Sequence, residues 1–272
     1  MKLQNLIHIV IGSLCIGLFP RVLAVVPPPD GGYPGLTTAE GTNALQSLTT
    51  GSGNTAVGWR SLFSVGGASF NTAVGAGTLV LNTADSNTAV GAAAMILNLS
   101  GDDNTAVGND ALAFNSGGED NVAIGAFALA NNDSTKAGLA SNNVAVGAEA
   151  LEFNTYGNPN TAVGYAALNS NLTAGGNTAV GYDALLFNGS LADGFPFGWY
   201  NNAVGANALT SNVDGYSNNA FGNLALFFNV SGVANTAIGY YTLFNNDADA
   251  VGLGNNNTAV GASIVSQHHW LG

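Results

Sequence analysis

The sequence predicts an all-β fold: a parallel β-roll or β-solenoid of about thirteen 17-residue coils, with two short strands per coil. Three observations lead there. The pattern Asn-Thr-Ala-Val-Gly recurs in phase along most of the chain, which is the signature of a solenoid. Its third slot is Ala and its fifth is Gly in every copy, from Ala39 and Gly41 to Ala259 and Gly261. The spacing between glycines leaves no room for helices of ordinary length, and a Gly inside each would cost about 1 kcal/mol.

The elements follow in chain order. Residues 1–24 read as a secretory signal: Lys2 gives the positive start, Leu6 to Phe19 an apolar run broken by His8, and Val22-Leu23-Ala24 a small-residue exit. An uncleaved anchor is the alternative, although the run is shorter than the roughly 20 apolar residues that span a bilayer. The single cysteine, Cys15, lies in this segment, so a cleaved chain must be stable without disulfides. Residues 25–36 contain Pro27, Pro28, Pro29, Gly31, Gly32 and Pro34, which cannot continue a strand ladder and mark a linker or cap.

Residues 37–265 are the repeat domain. Markers fall at Thr37, Asn54, Asn71, Asn87, Asn104, Asn121, Asn143, Asn160, Asn177, Asn201, Asn218, Asn235 and Asn257. Most spacings are 17, with 22, 24 and 22 after the sixth, ninth and twelfth copies. Thr-Ala-Val supplies the first predicted strand; Ala-Leu-x-Phe, four residues past the Gly, supplies the second. Asn recurs seven residues past the Gly, for example at Asn82, Asn115 and Asn154. Stacked in register, both Asn slots can form amide ladders, whereas a simple turn preference explains the residue type but not the fixed slots. Residues 266–272 form a tail.

The first strand shows no charge on either face except Glu40, while the second carries variable polar residues. This predicts that the first strand is covered on one side by its own coil and on the other by a further copy of the chain. The expected assembly residues are the repeated alanines Ala56, Ala73, Ala89, Ala106, Ala123, Ala145, Ala162, Ala179, Ala203, Ala220, Ala237 and Ala259. The alternative is a roll so narrow that Ala is the largest side chain fitting inside. The coil ends carry no obvious charged cap, which allows end-to-end stacking into fibres.

Composition narrows the function. Four Lys and Arg against 16 Asp and Glu give a net charge of −12, excluding nucleic acid and anionic membranes as electrostatic partners. A mature chain has only His268 and His269, adjacent in the tail, and no Ser-His-Asp or Cys-His set, so no enzyme activity, metal or cofactor is expected. The pairs Asp102-Asp103, Glu119-Asp120 and Asp247 with Asp249 suit solvated loops better than a Ca²⁺ site.

The three insertions, roughly 132–142, 189–200 and 247–256, share one phase and should leave one edge of the rod. The middle one carries Phe195, Phe197, Trp199 and Tyr200, a candidate contact loop for surface glycan or matrix protein. Its alternative role is to fold back over the coil. Six sequons, at Asn98, Asn132, Asn171, Asn188, Asn229 and Asn256, are candidate glycosylation sites in a cell with the machinery.

Asn121-Val122-Ala123-Ile124-Gly125 and Asn143-Val144-Ala145-Val146-Gly147 resemble the recurring motif in the head domains of YadA-like trimeric autotransporter adhesins. The resemblance covers Thr37 to about Val265. It implies a left-handed parallel β-roll, a homotrimer, and a non-catalytic extracellular surface that contacts host matrix or cells. The unit here is longer, and neither a heptad stalk nor a C-terminal membrane anchor is recognisable. The reading is therefore a secreted structural or adhesive rod that assembles with itself. A binding module acting through its insertion loops is the alternative. Ice binding is a further one: Thr fills the second slot in most copies, but Val122 and Val144 there speak for a buried face.

Overall fold

The computed structural model describes residues 35–134, 140–189, 197–249 and 252–264. The chain divides into two compact units, Met1–Asp30 and Gly31–Gly272, and every described residue belongs to the second. The signal segment and the tail of 266–272 lie outside the described residues, as does all of the linker before Gly35. Among the described residues no helix is long and apolar enough to cross a membrane.

The described residues form thirteen strands of three residues each. They are β1 Thr38–Glu40, β2 Thr55–Val57, β3 Thr72–Val74, β4 Thr88–Val90, β5 Thr105–Val107, β6 Val122–Ile124 and β7 Val144–Val146. After these come β8 Thr161–Val163, β9 Thr178–Val180, β10 Asn202–Val204, β11 Asn219–Phe221, β12 Thr236–Ile238 and β13 Thr258–Val260. They stack in chain order as one parallel sheet, which is a β-solenoid. Every Ala lies opposite the Ala of the next coil, as Ala39 opposite Ala56. The longer spacings do not disturb this: Ala123 still faces Ala145, and Ala179 still faces Ala203. Insertions therefore leave the coil and return in register.

The second strand expected in each coil is absent among the described residues. The stretch from the Gly to the Asn is a run of turns in which Arg60 and Leu62, two apart, have φ of 55° and 50°. The same two slots are left-handed at Asp110 and Leu112, and at Asp183 and Leu185. Such a backbone is not extended, yet its amides still pair between coils: Leu62 N–H donates to Thr78 O at 3.0 Å and Ser64 N–H to Val80 O at 3.0 Å. The spacing of Leu and Phe in the sequence mimics a strand because alternate residues donate to the next coil, Leu62 and then Ser64, as in a parallel ladder.

The core is narrow. It contains the strand Ala, a second Ala such as Ala111 or Ala128, and the left-handed Leu, all fully buried through most of the stack. A left-handed Leu costs about 1 kcal/mol; full burial of its side chain contributes about 2 kcal/mol in return.

The repeated Gly is required twice over. Gly58 has φ of +132°, and a Cβ there would lie 2.3 Å from the Gly75 carbonyl oxygen of the next coil.

Candidate functional site: the outward strand face

Each strand sends its middle residue inward and its flanking residues outward. Ala56, Ala73 and Ala106 are 0% exposed within a single chain. The twelve alanines expected to meet a partner therefore pack inside their own coil: Ala56, Ala73, Ala89, Ala106, Ala123, Ala145, Ala162, Ala179, Ala203, Ala220 and Ala237 are wholly enclosed, and Ala259 in the last coil is nearly so. They share the bore with Leu and the buried asparagines. Alternation identifies two faces of a strand but not which one is interior, and here the interior face is the alanine face.

What the strands present outward is the second and fourth slots. The fourth forms a column of Val57, Val74, Val90, Val107, Ile124, Val146, Val163, Val180, Val204, Phe221, Ile238 and Val260. Val107 is 39% exposed, Ile124 42% and Phe221 43%. Beside it runs the second-slot column, Thr in most coils, half-buried. Neighbours lie about 4.8 Å apart along the rod and about 6.6 Å across it. In these two columns Glu40 is the one ionisable residue. The result is a flat strip of exposed Val and Ile beside a Thr column, the kind of exposed apolar surface that marks interaction sites.

The two Asn slots are internal. In one ladder Asn71 N–H donates to Asn54 Oδ1 at 3.0 Å, and Asn104 N–H to Asn87 Oδ1 at 3.0 Å. In the other, Asn115 Nδ2 donates to Asn98 Oδ1 and to Gly118 O, both at 2.7 Å. A buried amide is costly when unpaired; past the first Asn of each ladder, the repeat pairs each one with the coil before it, and Asn54 and Asn82 donate to Ala68 O and Ala84 O.

This overturns five of the six glycosylation candidates. Asn98, Asn132, Asn171, Asn188 and Asn229 are 0% exposed. Each spends both Nδ2 hydrogens inside: Asn98 on Asn82 Oδ1 and Gly101 O, Asn132 on Asn115 Oδ1 and Ala140 O, Asn171 on Asn154 Oδ1 and Ala174 O. Asn188 donates to Asn171 Oδ1 and Gly198 O, and Asn229 to Asn212 Oδ1 and Gly232 O. A glycan on that nitrogen is incompatible with the coil. Asn256 alone is exposed.

The aromatic loop is also smaller than expected. Phe195 lies outside the described residues. Trp199 and Tyr200 are back in the coil: Tyr200 N–H donates to Gly175 O at 3.2 Å, and Ser217 N–H to Trp199 O at 2.9 Å. Their rings lie over Gly175 and Gly176, where a Cβ would come within 2.8 Å and 2.6 Å of them. Phe197 and Tyr200 keep 41% and 62% exposure.

Charge is distributed around the flanks. Arg60 is the one cation among the described residues and lies 5.1 Å from the Trp59 ring centroid and 4.9 Å from that of Phe63. Asp85 and Asp102 act as ladder acceptors, taking Ser69 N–H at 2.8 Å and Asp85 N–H at 2.7 Å. Tyr165 and Tyr182 stack at 5.4 Å. A hydrogen bond to the Glu149 carboxylate, with its charge, holds the Tyr165 phenol above its ordinary value. Burial pushes the Asp183 carboxyl up, against a hydrogen bond from Tyr182. Among the described residues no group of three or more His, Cys, Asp or Glu is placed to hold a metal ion.

The chain matches no protein-family model, no curated protein and no solved structure.

Proposed function

We propose that this chain is a secreted, non-enzymatic structural or adhesive rod that assembles side by side with copies of itself through the outward Thr and Val columns. The observation that carries this reading is the unbroken apolar column from Val57 to Val260 on a face whose one ionisable group is Glu40. A partner has to be as long, as flat and as free of charge, with the same axial period. The same face of another copy satisfies all four requirements. The motif resemblance to YadA-like heads favours three copies. The signal-like start supports export.

The experiment is the mass of the purified chain in solution. The wild type is expected as a trimer, and Val107→Glu, which introduces charge at an exposed position of the monomer, is expected to lower the mass to that of one chain with the circular dichroism unchanged. A wild-type chain that remains monomeric at high micromolar concentration overturns the reading.

One observation favours a second reading. Ice binding requires the Thr column to face outward, and it does, on a rigid array with regular spacing. Thermal hysteresis of the Val107→Glu monomer and of the wild type measures it; no hysteresis in either eliminates ice as a ligand.

A further inference from the structure

Among the described residues, the two ends of the solenoid are complementary in their unused hydrogen-bonding groups. Every junction between coils is built from the same bonds. Thr38 N–H donates forward to Asn54 O at 2.8 Å, and Gly58 N–H donates back to Glu40 O at 2.7 Å. Arg60 N–H donates back to Thr42 O at 3.0 Å, and from Asn71 onward each marker N–H donates back to the preceding Asn Oδ1. The last junction keeps the pattern: Thr236 N–H to Asn257 O at 2.8 Å, Gly261 N–H to Ile238 O at 2.8 Å, Ser263 N–H to Tyr240 O at 2.8 Å.

On the far side of β13 the same groups have no partner among the described residues: Thr258 N–H, Val260 C=O, Ala262 C=O and Asn257 Oδ1. On the near side of β1 the complementary donors Gly41 N–H and Asn43 N–H likewise have none among the described residues.

Packing at the ends agrees. In the first coil Ala39, Ala44 and Leu48 are only partly buried, whereas Ala56, Ala111 and Asn98, which fill these three slots in interior coils, are fully enclosed. Ala39, Ala44 and Leu48 line, with Leu45 and Thr49, an open cavity of about 500 Å³. At the other end Gly261 is the one glycine of the fifth slot whose added Cβ would meet no backbone of a following coil, only the Ile264 side chain at 3.1 Å. In the interior the following Gly fills that place; Gly41 can be approached as closely as any of them.

We infer that β13 of one molecule accepts β1 of the next, so that rods join head to tail in the register of an ordinary coil junction. Gly41 N–H then donates to Val260 C=O and Asn43 N–H to Ala262 C=O, with Ala39 stacked on Ala259. The occupant is a second copy because the site demands a strand with Ala at its centre and Gly two residues on, which this chain supplies. An open strand edge of this kind pairs readily with another. A heterologous contact without rotation to close a ring produces a filament. This goes beyond side-by-side assembly and does not depend on it.

The test is electron microscopy and sedimentation of the full chain after signal removal, beside Thr258→Pro. That substitution deletes an N–H that no described residue uses, and proline is tolerated on the open side of an edge strand. The wild type is expected to form filaments with an axial repeat of about 60 Å, thirteen coils at about 4.8 Å. Thr258→Pro is expected to melt at the wild-type temperature, to lose at least tenfold of the sedimenting material, and to shorten wild-type filaments when mixed with them, since it can add to an end but not be added to. Wild-type rods that stay discrete overturn the inference, as do filaments that Thr258→Pro leaves unchanged. The oligomeric mass of Thr258→Pro reports side-by-side assembly separately: discrete trimers of both chains sink end joining alone, and filaments one chain thick sink the lateral reading alone.

Discussion

Asp183 sits on the flank of the ninth coil with Tyr182 beside it and the Glu149 charge acting on it. Burial raises its pKa above the ordinary 3.8, so the folded state disfavours the ionised form. The sign follows from linkage: folding is favoured below the ordinary value and loses that contribution as pH rises through the raised one. Asp183→Asn is therefore expected to raise the melting temperature at pH 7, with the gain vanishing as the pH drops below 3.8, a pair of melts that also reads the Tyr182 hydrogen bond opposing it. An equal gain at both pH values would show that charge is not the cause. Asn115 illustrates the opposite case, a polar residue whose burial is fully compensated by Asn98 Oδ1 and Gly118 O. Its type suggests a surface turn, and its fixed slot alone hints that it is internal. Sequons placed in that slot look accessible in one dimension and are sealed in three.

A single coil is the unit in which these residues make sense. Strand, glycine turn, left-handed Leu and two amides close one circuit, and each circuit contacts only its neighbours. Removing residues 104–120, one whole circuit, is expected to leave a folded rod in which β4 pairs with β6, with the far-ultraviolet spectrum per residue unchanged and a melting temperature a few degrees lower. Removing 104–112, about half a circuit, is expected to unfold the chain or break it into two short stacks. If the full deletion proves no better tolerated than the partial one, nearest-neighbour stacking is the wrong description. Strand positions were legible in the sequence to the residue, since every strand begins one residue past a marker such as Asn54 or Asn160. The Leu segment was misread because its spacing suits both a strand and a chain of alternating left-handed turns. Propensity argues against Leu at positive φ, and only burial in the enclosed bore repays it.

At the scale of the molecule, the period in the sequence determined the stack, its order and its in-phase insertions. It did not determine which edge of Thr-Ala-Val faces out, because a uniformly uncharged strand carries no mark of inside and outside. That choice relocates the proposed contact surface from the alanines to Val107 and its column, and it leaves the rod's sides and its tips with separate chemistry. The asparagines add one more property. Along the ladder seven residues past the Gly the later side-chain amide donates and the earlier one accepts, as from Asn115 to Asn98 and from Asn132 to Asn115. Those oriented amides add up rather than cancel, so this ladder contributes an electric moment along the axis with its oxygen-bearing pole toward β13. Such particles align in an applied field and, packed in parallel, make a material with a built-in polarisation.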